Sequence, residues 1–200
     1  MLSSIVEILV MLNPFALFLY LDPIRKDLTH RNFMMVIFKA TIISFVICLI
    51  FFFFGDQIFT RVFQIDFESF RIFGGIIIFS YAYLFIVKGQ KALIMIKENL
   101  DDLASEIALP FMVGAGTISL SILLSQRHTL LIGTLSLVII FSINFLVLYS
   151  LKKLRDSIEG RKFKTAFDKN MEVLLRLNGF LIGAIGINMV LTGINNMFVH

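Results

Sequence analysis

Chemistry that needs water-exposed side chains is scarce in this sequence. A single cysteine, Cys48, occurs in 200 residues, so no intrachain disulfide can form. Set inside an apolar run, Cys48 reads as a small packing residue. The three histidines, His30, His128 and His200, fall in connections or at the very end. No cluster of His, Cys, Asp or Glu has the spacing of metal ligands. There is no H-E-x-x-H, no G-x-S-x-G and no glycine-rich phosphate loop with its lysine. Gly114-Ala-Gly116-Thr-Ile-Ser119 imitates such a loop but lacks the lysine and lies in an apolar stretch. Hydrolysis and ATP-driven transport are therefore not expected, and neither is a metal or cofactor; the chain is not expected to be an enzyme. Charge is scarce too. Charged residues make up 16% of the chain, against roughly 25% in soluble domains.

What the chain has is apolar length. Hydrophobic residues make up 58%, and the mean hydropathy is +0.91. A soluble fold of this size cannot hide several apolar runs of bilayer length, so an all-α, polytopic membrane protein is expected. Six segments can be drawn, at about residues 5–21, 33–54, 70–87, 107–124, 130–149 and 174–198. Each is near the roughly 20 residues that a helix needs to cross. The start, Met1-Leu-Ser-Ser, lacks the basic flank of a signal peptide, so the first segment is expected to be retained. The net charge of +4 lies in the connections and speaks to topology rather than to nucleic acid.

Two of these segments are interrupted. The first carries Asn13-Pro14. The fourth reads Ile107-Ala-Leu-Pro-Phe-Met-Val-Gly-Ala-Gly-Thr-Ile-Ser-Leu120, with Pro110, Gly114 and Gly116 near its middle. Proline removes an amide donor and clashes with the preceding turn. In lipid a freed backbone group costs several kcal/mol, so such a break persists only where protein or a wet cavity satisfies it. Broken helices at membrane depth are the usual raw material of transporter binding sites, though proline and glycine also kink membrane helices with no further purpose.

Polar residues inside the segments are few. Glu7 lies barely one turn into the first, where a carboxylate reaching back to the interface is favoured over an intramembrane proton group. Thr41, Ser44 and Cys48 form a weakly polar stripe suited to helix packing. Paired glycines, Gly74-Gly75, permit close backbone approach near the start of the third segment. On the sixth, Gly179, Gly183, Gly186 and Gly193 share one face, a close-packing seam, while Asn188, Thr192 and Asn195 share the other. Asn144 sits alone among aliphatic residues of the fifth.

The first, third and fifth connections hold all of the 18 Lys and Arg except Lys39, Arg61, Arg71 and Arg127. The positive-inside rule places those connections in the cytoplasm and both termini outside. The halves also echo one another. Pro14-Phe15 matches Pro110-Phe111 at an offset of 96, and Arg71-Ile-Phe-Gly74 resembles Arg176-Leu-Asn-Gly179 at an offset of 105. Their shared order indicates a duplication within a single membrane domain, with repeat one at about 1–95 and repeat two at about 100–200. Three spans per half make the repeats inverted, and paired breaks in corresponding positions point to a midplane site.

Four motifs together resemble the MarC family of bacterial inner-membrane proteins. They are Leu12-Asn13-Pro14, Phe70-Arg-Ile-Phe-Gly-Gly-Ile-Ile-Ile78, the Ile107–Ser119 stretch, and Asn178-Gly179 through Thr192-Gly-Ile194. The chain departs from that pattern at Ala115, where the family usually has proline between the glycines, and at Glu106, where it usually has another proline. The resemblance implies six spans, a bacterial inner-membrane location and a relation to the LysE-type exporter superfamily. It also implies transport of small neutral amino acids, as described for some relatives.

The leading expectation is a secondary transporter of a small polar solute. Amides after Gly114 and Gly116 would hold a carboxylate, with Asn13, Thr117 and Ser119 hydrogen-bonding the solute beside Pro14 and Pro110. Asn144 and Asn188 are second-tier candidates. Glu106 is a candidate for coupling or gating, with an acidic helix cap as its plainer reading. Beyond the solute and the bilayer, this reading leaves room for a coupling ion, proton or sodium, and for a homo-oligomer. The rival is a non-transporting membrane scaffold or regulator whose glycine seams serve assembly.

Overall fold

The break at Asn13-Pro14 divides the first span into two short helices, α1 (Leu2–Leu12) and α2 (Pro14–Tyr20). The computed structural model describes residues 2–21, 29–89, 112–158 and 160–198. Beyond α2 come α3 (His30–Gln57), a π-helical extension (Ile58–Phe63), α4 (Phe67–Lys88), α5 (Ala115–Arg127), α6 (Leu130–Ser157) and α7 (Arg161–Phe198). No strand occurs among the described residues. Among the described residues, five helical stretches are long and apolar enough to cross a bilayer, counting α1 and α2 together. The fourth expected span is represented by α5, whose 13 residues rise only about 20 Å. Residues 107–111, with Pro110, and Glu106 lie outside the described residues.

Side-chain burial sorts the helices inside out relative to a soluble protein. Phe38, Ile42, Val46, Ile50 and Phe53 of α3 are exposed, whereas Thr41, Ser44 and Cys48 on its opposite side are buried. Phe73, Ile76, Phe79 and Tyr83 make the corresponding outer face of α4. An apolar exterior and a small, weakly polar interior suit a bundle whose solvent is lipid.

Three helix pairs run antiparallel. His30, Phe38 and Phe45 of α3 stack edge-on against Tyr149, Phe145 and Phe141 of α6. Along α1 and α5, Ser4 lies beside His128, Glu7 beside Arg127 and Met11 beside Gly116. The pairing of α4 with α7 is the most extensive in the molecule. There the glycine faces meet. A Cβ on Gly75 would lie 2.6 Å from the Gly186 carbonyl oxygen, and one on Gly186 would lie 2.9 Å from that of Gly75. Backbone touches backbone, so neither glycine can carry a side chain.

The ends of that pair are fastened. At one end Asn196 of α7 donates from Nδ2 to Glu68 Oε1 of α4 (3.0 Å), and Glu68 also faces Arg71. At the other, Arg176 Nη1 donates to the Ile86 carbonyl (2.9 Å), capping the last turn of α4 before Gly89, which takes φ +56°.

The sequence expectation needs correction in the sixth segment. Its helix begins at Arg161, not near residue 174. Hydropathy detects the part that crosses, but the helix continues beyond it because Phe167, Met171 and Leu175 bury one face at helical spacing. A two-pronged ion pair joins the extended ends of α6 and α7: Arg155 Nε to Asp168 Oδ1 at 2.9 Å and Nη2 to Oδ2 at 3.1 Å.

Gly186→Ala and Gly75→Ala should each destabilise the folded protein by about 1–3 kcal/mol through overpacking against backbone. Gly183→Ala should be tolerated, because its Cβ would meet Ala82 at an ordinary 3.4 Å. Thermal unfolding in detergent micelles reads the difference.

Candidate functional site: two half-helix ends at mid-depth

The first break is built around one missing donor. In an unbroken helix the amide of residue 14 would bond the carbonyl of Val10. Pro14 has no N–H, and Asn178 of α7 fills the vacancy, donating from Nδ2 to Val10 O at 3.0 Å. The amide of Asn13 also reaches Val10 O, and equally Leu9 O, at 3.2 Å. Asn13 itself takes left-handed dihedrals (φ 44°, ψ 69°), a region that asparagine visits more readily than most residues. Its Oδ1 then accepts from Ala16 N–H at 3.1 Å and caps α2. With that amide turned away, the Leu12 carbonyl loses its ladder partner. The end of α1 thus presents backbone acceptors.

The second break presents donors. α5 starts at Ala115 with Gly114 as its N-cap in extended conformation (φ −108°, ψ 175°). Gly114 has no side chain to cap with, so the first-turn amides are left for another partner. Thr117 steadies the turn. Its hydroxyl accepts from Gly114 N–H at 3.0 Å and can donate to the carbonyl of Met112 or Gly114, each 3.1 Å away. Ser121 Oγ donates to the Thr117 carbonyl at 2.7 Å. Cys48 of α3 lies beside Thr117 and Ser121.

The two breaks lie together. Met11, two residues before Asn13, reaches Gly116, two residues after Gly114; a Cβ on Gly116 would collide with the ends of Met11 and Ile78. Both helices begin or end at the face that carries Glu7, Arg127 and His128. The 11 residues of α1 and the 13 of α5 then set their inner ends about 17 and 20 Å from that face, near the middle of a hydrocarbon core about 30 Å thick. A helix C-terminus and a helix N-terminus, of opposite partial charge, meet there.

Several buried polar atoms have no partner: Asn13 Nδ2, Ser119 Oγ and both side-chain atoms of Asn144. Asn13 and Thr117 are buried, as are Ser119 and Asn144 completely. Pro14 is half-buried between α1 and α2. Gly114 is exposed and Gly116 buried. Asn188 stands apart. It is exposed and lines an open groove of about 460 Å³ on the outer side of α4 and α7, with Phe79, Tyr83 and Leu191. Glu7 lies at the surface, 3.7 Å from Arg127 and hydrogen-bonded by Ser3. Pro110 and Glu106 lie outside the described residues. Sequence reasoning gave Asn178 no role; its signal was Pro14, which leaves the Val10 carbonyl short of a donor.

Comparison with known proteins places this sequence in a family. The sequence model described as "MarC family integral membrane protein" matches residues 1–198. The "UPF0056 membrane protein PH0214" of Pyrococcus horikoshii is 26% identical over 200 residues, covering 100% of this chain and 95% of that one. "UPF0056 membrane protein MJ1677" of Methanocaldococcus jannaschii is 28% identical, covering 96% and 93%. The "UPF0056 membrane protein YvbG" of Bacillus subtilis is 27% identical, covering 80% and 77%. No solved structure matches.

Asn178→Leu removes one of the two donors on Val10 O, leaving only the Asn13 amide, and should destabilise the protein by about 0.5–1.5 kcal/mol, the net worth of one hydrogen bond. Asn178→Asp should be no better, since a carboxylate cannot donate. Thermal unfolding of the purified variants measures both.

Proposed function

The chain belongs to the MarC family of integral membrane proteins, and from that premise we propose that it is a secondary transporter of small polar solutes. Small neutral amino acids are the solute class that fits best. The observation that carries this reading is the meeting of Met11 with Gly116, which sets the acceptor end of α1 against the donor end of α5. A zwitterion matches that pair of ends. Its carboxylate would take the first-turn amides of α5, and its ammonium the carbonyls at the end of α1. Thr117, Ser119, Asn13 and Asn144 are buried polar groups of the same interior, and three of them keep atoms in need of partners.

The antiparallel pairings of α1 with α5, α3 with α6 and α4 with α7 support an inverted repeat, because each span then packs against its counterpart. The basic connections support cytoplasmic placement of the end of α6 and the start of α7, with both termini outside a bacterial inner membrane. A coupling ion, proton or sodium, completes the proposal, with Glu106 its candidate group.

Proteoliposomes holding the purified protein should accumulate or release labelled alanine, glycine or serine above empty vesicles. Gly116→Leu should abolish that flux while the protein stays folded, because its side chain would occupy the meeting point. Well-folded protein with no flux across a broad solute panel would sink the transport reading. Topology has its own test. In a Cys48→Ala background, an impermeant maleimide on intact cells should label Thr60→Cys but label Ser157→Cys only after permeabilisation. The reverse order would overturn the orientation.

A further inference from the structure

Two arginines occupy twin motifs at opposite ends of the α4–α7 pair, and they are not used alike. Arg176 is spent. Its Nη1 bonds the Ile86 carbonyl and its Nη2 bonds Glu172, both at 2.9 Å, and its side chain is 43% exposed. Arg71 is buried, its side chain only 5% exposed. Nη1 makes the contacts to Glu68, and these are long, 3.4 and 3.5 Å. Glu68 in turn shares Oε1 with Asn196. Nε of Arg71 is buried with no partner. A buried guanidinium donor left without a partner is costly, so the loose pairing with Glu68 leaves Arg71 short of one acceptor.

Arg71 shares a face of α4 with Gly75, Ile78 and Ala82, all buried. Ile78 is the residue that reaches Gly116. Seven residues separate Arg71 from Ile78, about 10 Å along the helix. The unpartnered Nε therefore lies on the face of α4 that leads to the meeting of α1 and α5. We propose that Arg71 docks the carboxylate of an incoming or departing solute, through the Nε donor that Glu68 leaves unpartnered. A carboxylate oxygen is the acceptor that a guanidinium N–H binds most strongly. A side chain so enclosed favours a compact free carboxylate over the phosphate of a bulky lipid headgroup. The proposal deepens the transport reading and rests on it for the solute's path, but not for the binding itself.

Calorimetry on the purified full chain tests it, with acetate, alanine, alaninamide and inorganic phosphate as probes. Acetate and alanine should bind, and alaninamide, lacking the carboxylate, should not. Arg71→Gln should weaken acetate and alanine roughly 10- to 100-fold, the range for a hydrogen bond to a charged group. Arg71→Lys should recover part of that loss, since it restores charge without the fork. If Arg71→Gln does not fold, Glu68→Gln still decides: removing the competing carboxylate should raise acetate affinity several-fold. The proposal falls if wild type binds no carboxylate, if phosphate alone binds, or if both variants leave acetate affinity unchanged. Absent flux with Arg71-dependent acetate binding would sink transport and spare this site. Flux with unaltered affinity in Arg71→Gln would do the opposite.

Discussion

One hydrogen bond fixes more of this molecule than any other: the amide of Asn178 on the carbonyl of Val10. Hydrocarbon offers no substitute for a missing backbone partner, so a span broken by proline needs a donor from elsewhere in the protein. That need brings α7 against the end of α1. With α7 so placed, its glycine face turns to α4, and the crossing of Gly186 over Gly75 sets the position of α4. Ile78 of α4 then closes on Gly116 and holds the start of α5 beside the end of α1. The break is thus the origin from which the interior is laid out, rather than a blemish in a continuous span.

Local patterning carried much of this into the sequence. The glycine face of α7, the Gly74-Gly75 pair, and the Thr41, Ser44 and Cys48 stripe are periodic features, and periodicity fixes which residues share a side. Direction is another matter. Asn188 and Gly186 are two residues apart on one helix; nothing in their spacing says that the glycine faces α4 while the amide looks outward. The early start of α7 was hidden for a related reason. Hydropathy reports the bilayer's thickness, whereas Phe167, Met171 and Leu175 extend the helix by packing beyond it. The role of Asn178 depended on a contact across 168 positions of chain, which no local pattern encodes. Asn13 was legible because its break, cap and proline are neighbours.

The candidate site shows the same division. The residue types at Asn13, Thr117 and Ser119 named the chemistry, hydrogen bonding without acids or metals. Their assembly depends on helix lengths. α1 starts and α5 ends at one face, and their inner ends lie at similar depth, so an acceptor end and a donor end coincide. Membership of the MarC family adds that this is an integral membrane protein, similar in sequence to the Pyrococcus and Methanocaldococcus relatives over nearly their whole lengths.

The α4–α7 pair also divides the protein mechanically. It is clamped at both extremities, by Asn196 on Glu68 and by Arg176 on Ile86, and its crossing leaves no side chain to loosen. Such a pair behaves as a keel, resisting both sliding and splaying. Among the described residues the short pieces are braced more lightly: α1 meets the pair through the one Asn178–Val10 bond and the tip of Met11, and α5 through the tip of Ile78, which yields where backbone would not. Deformation under load should therefore concentrate in the short pieces, leaving the keel as the fixed frame against which they shift.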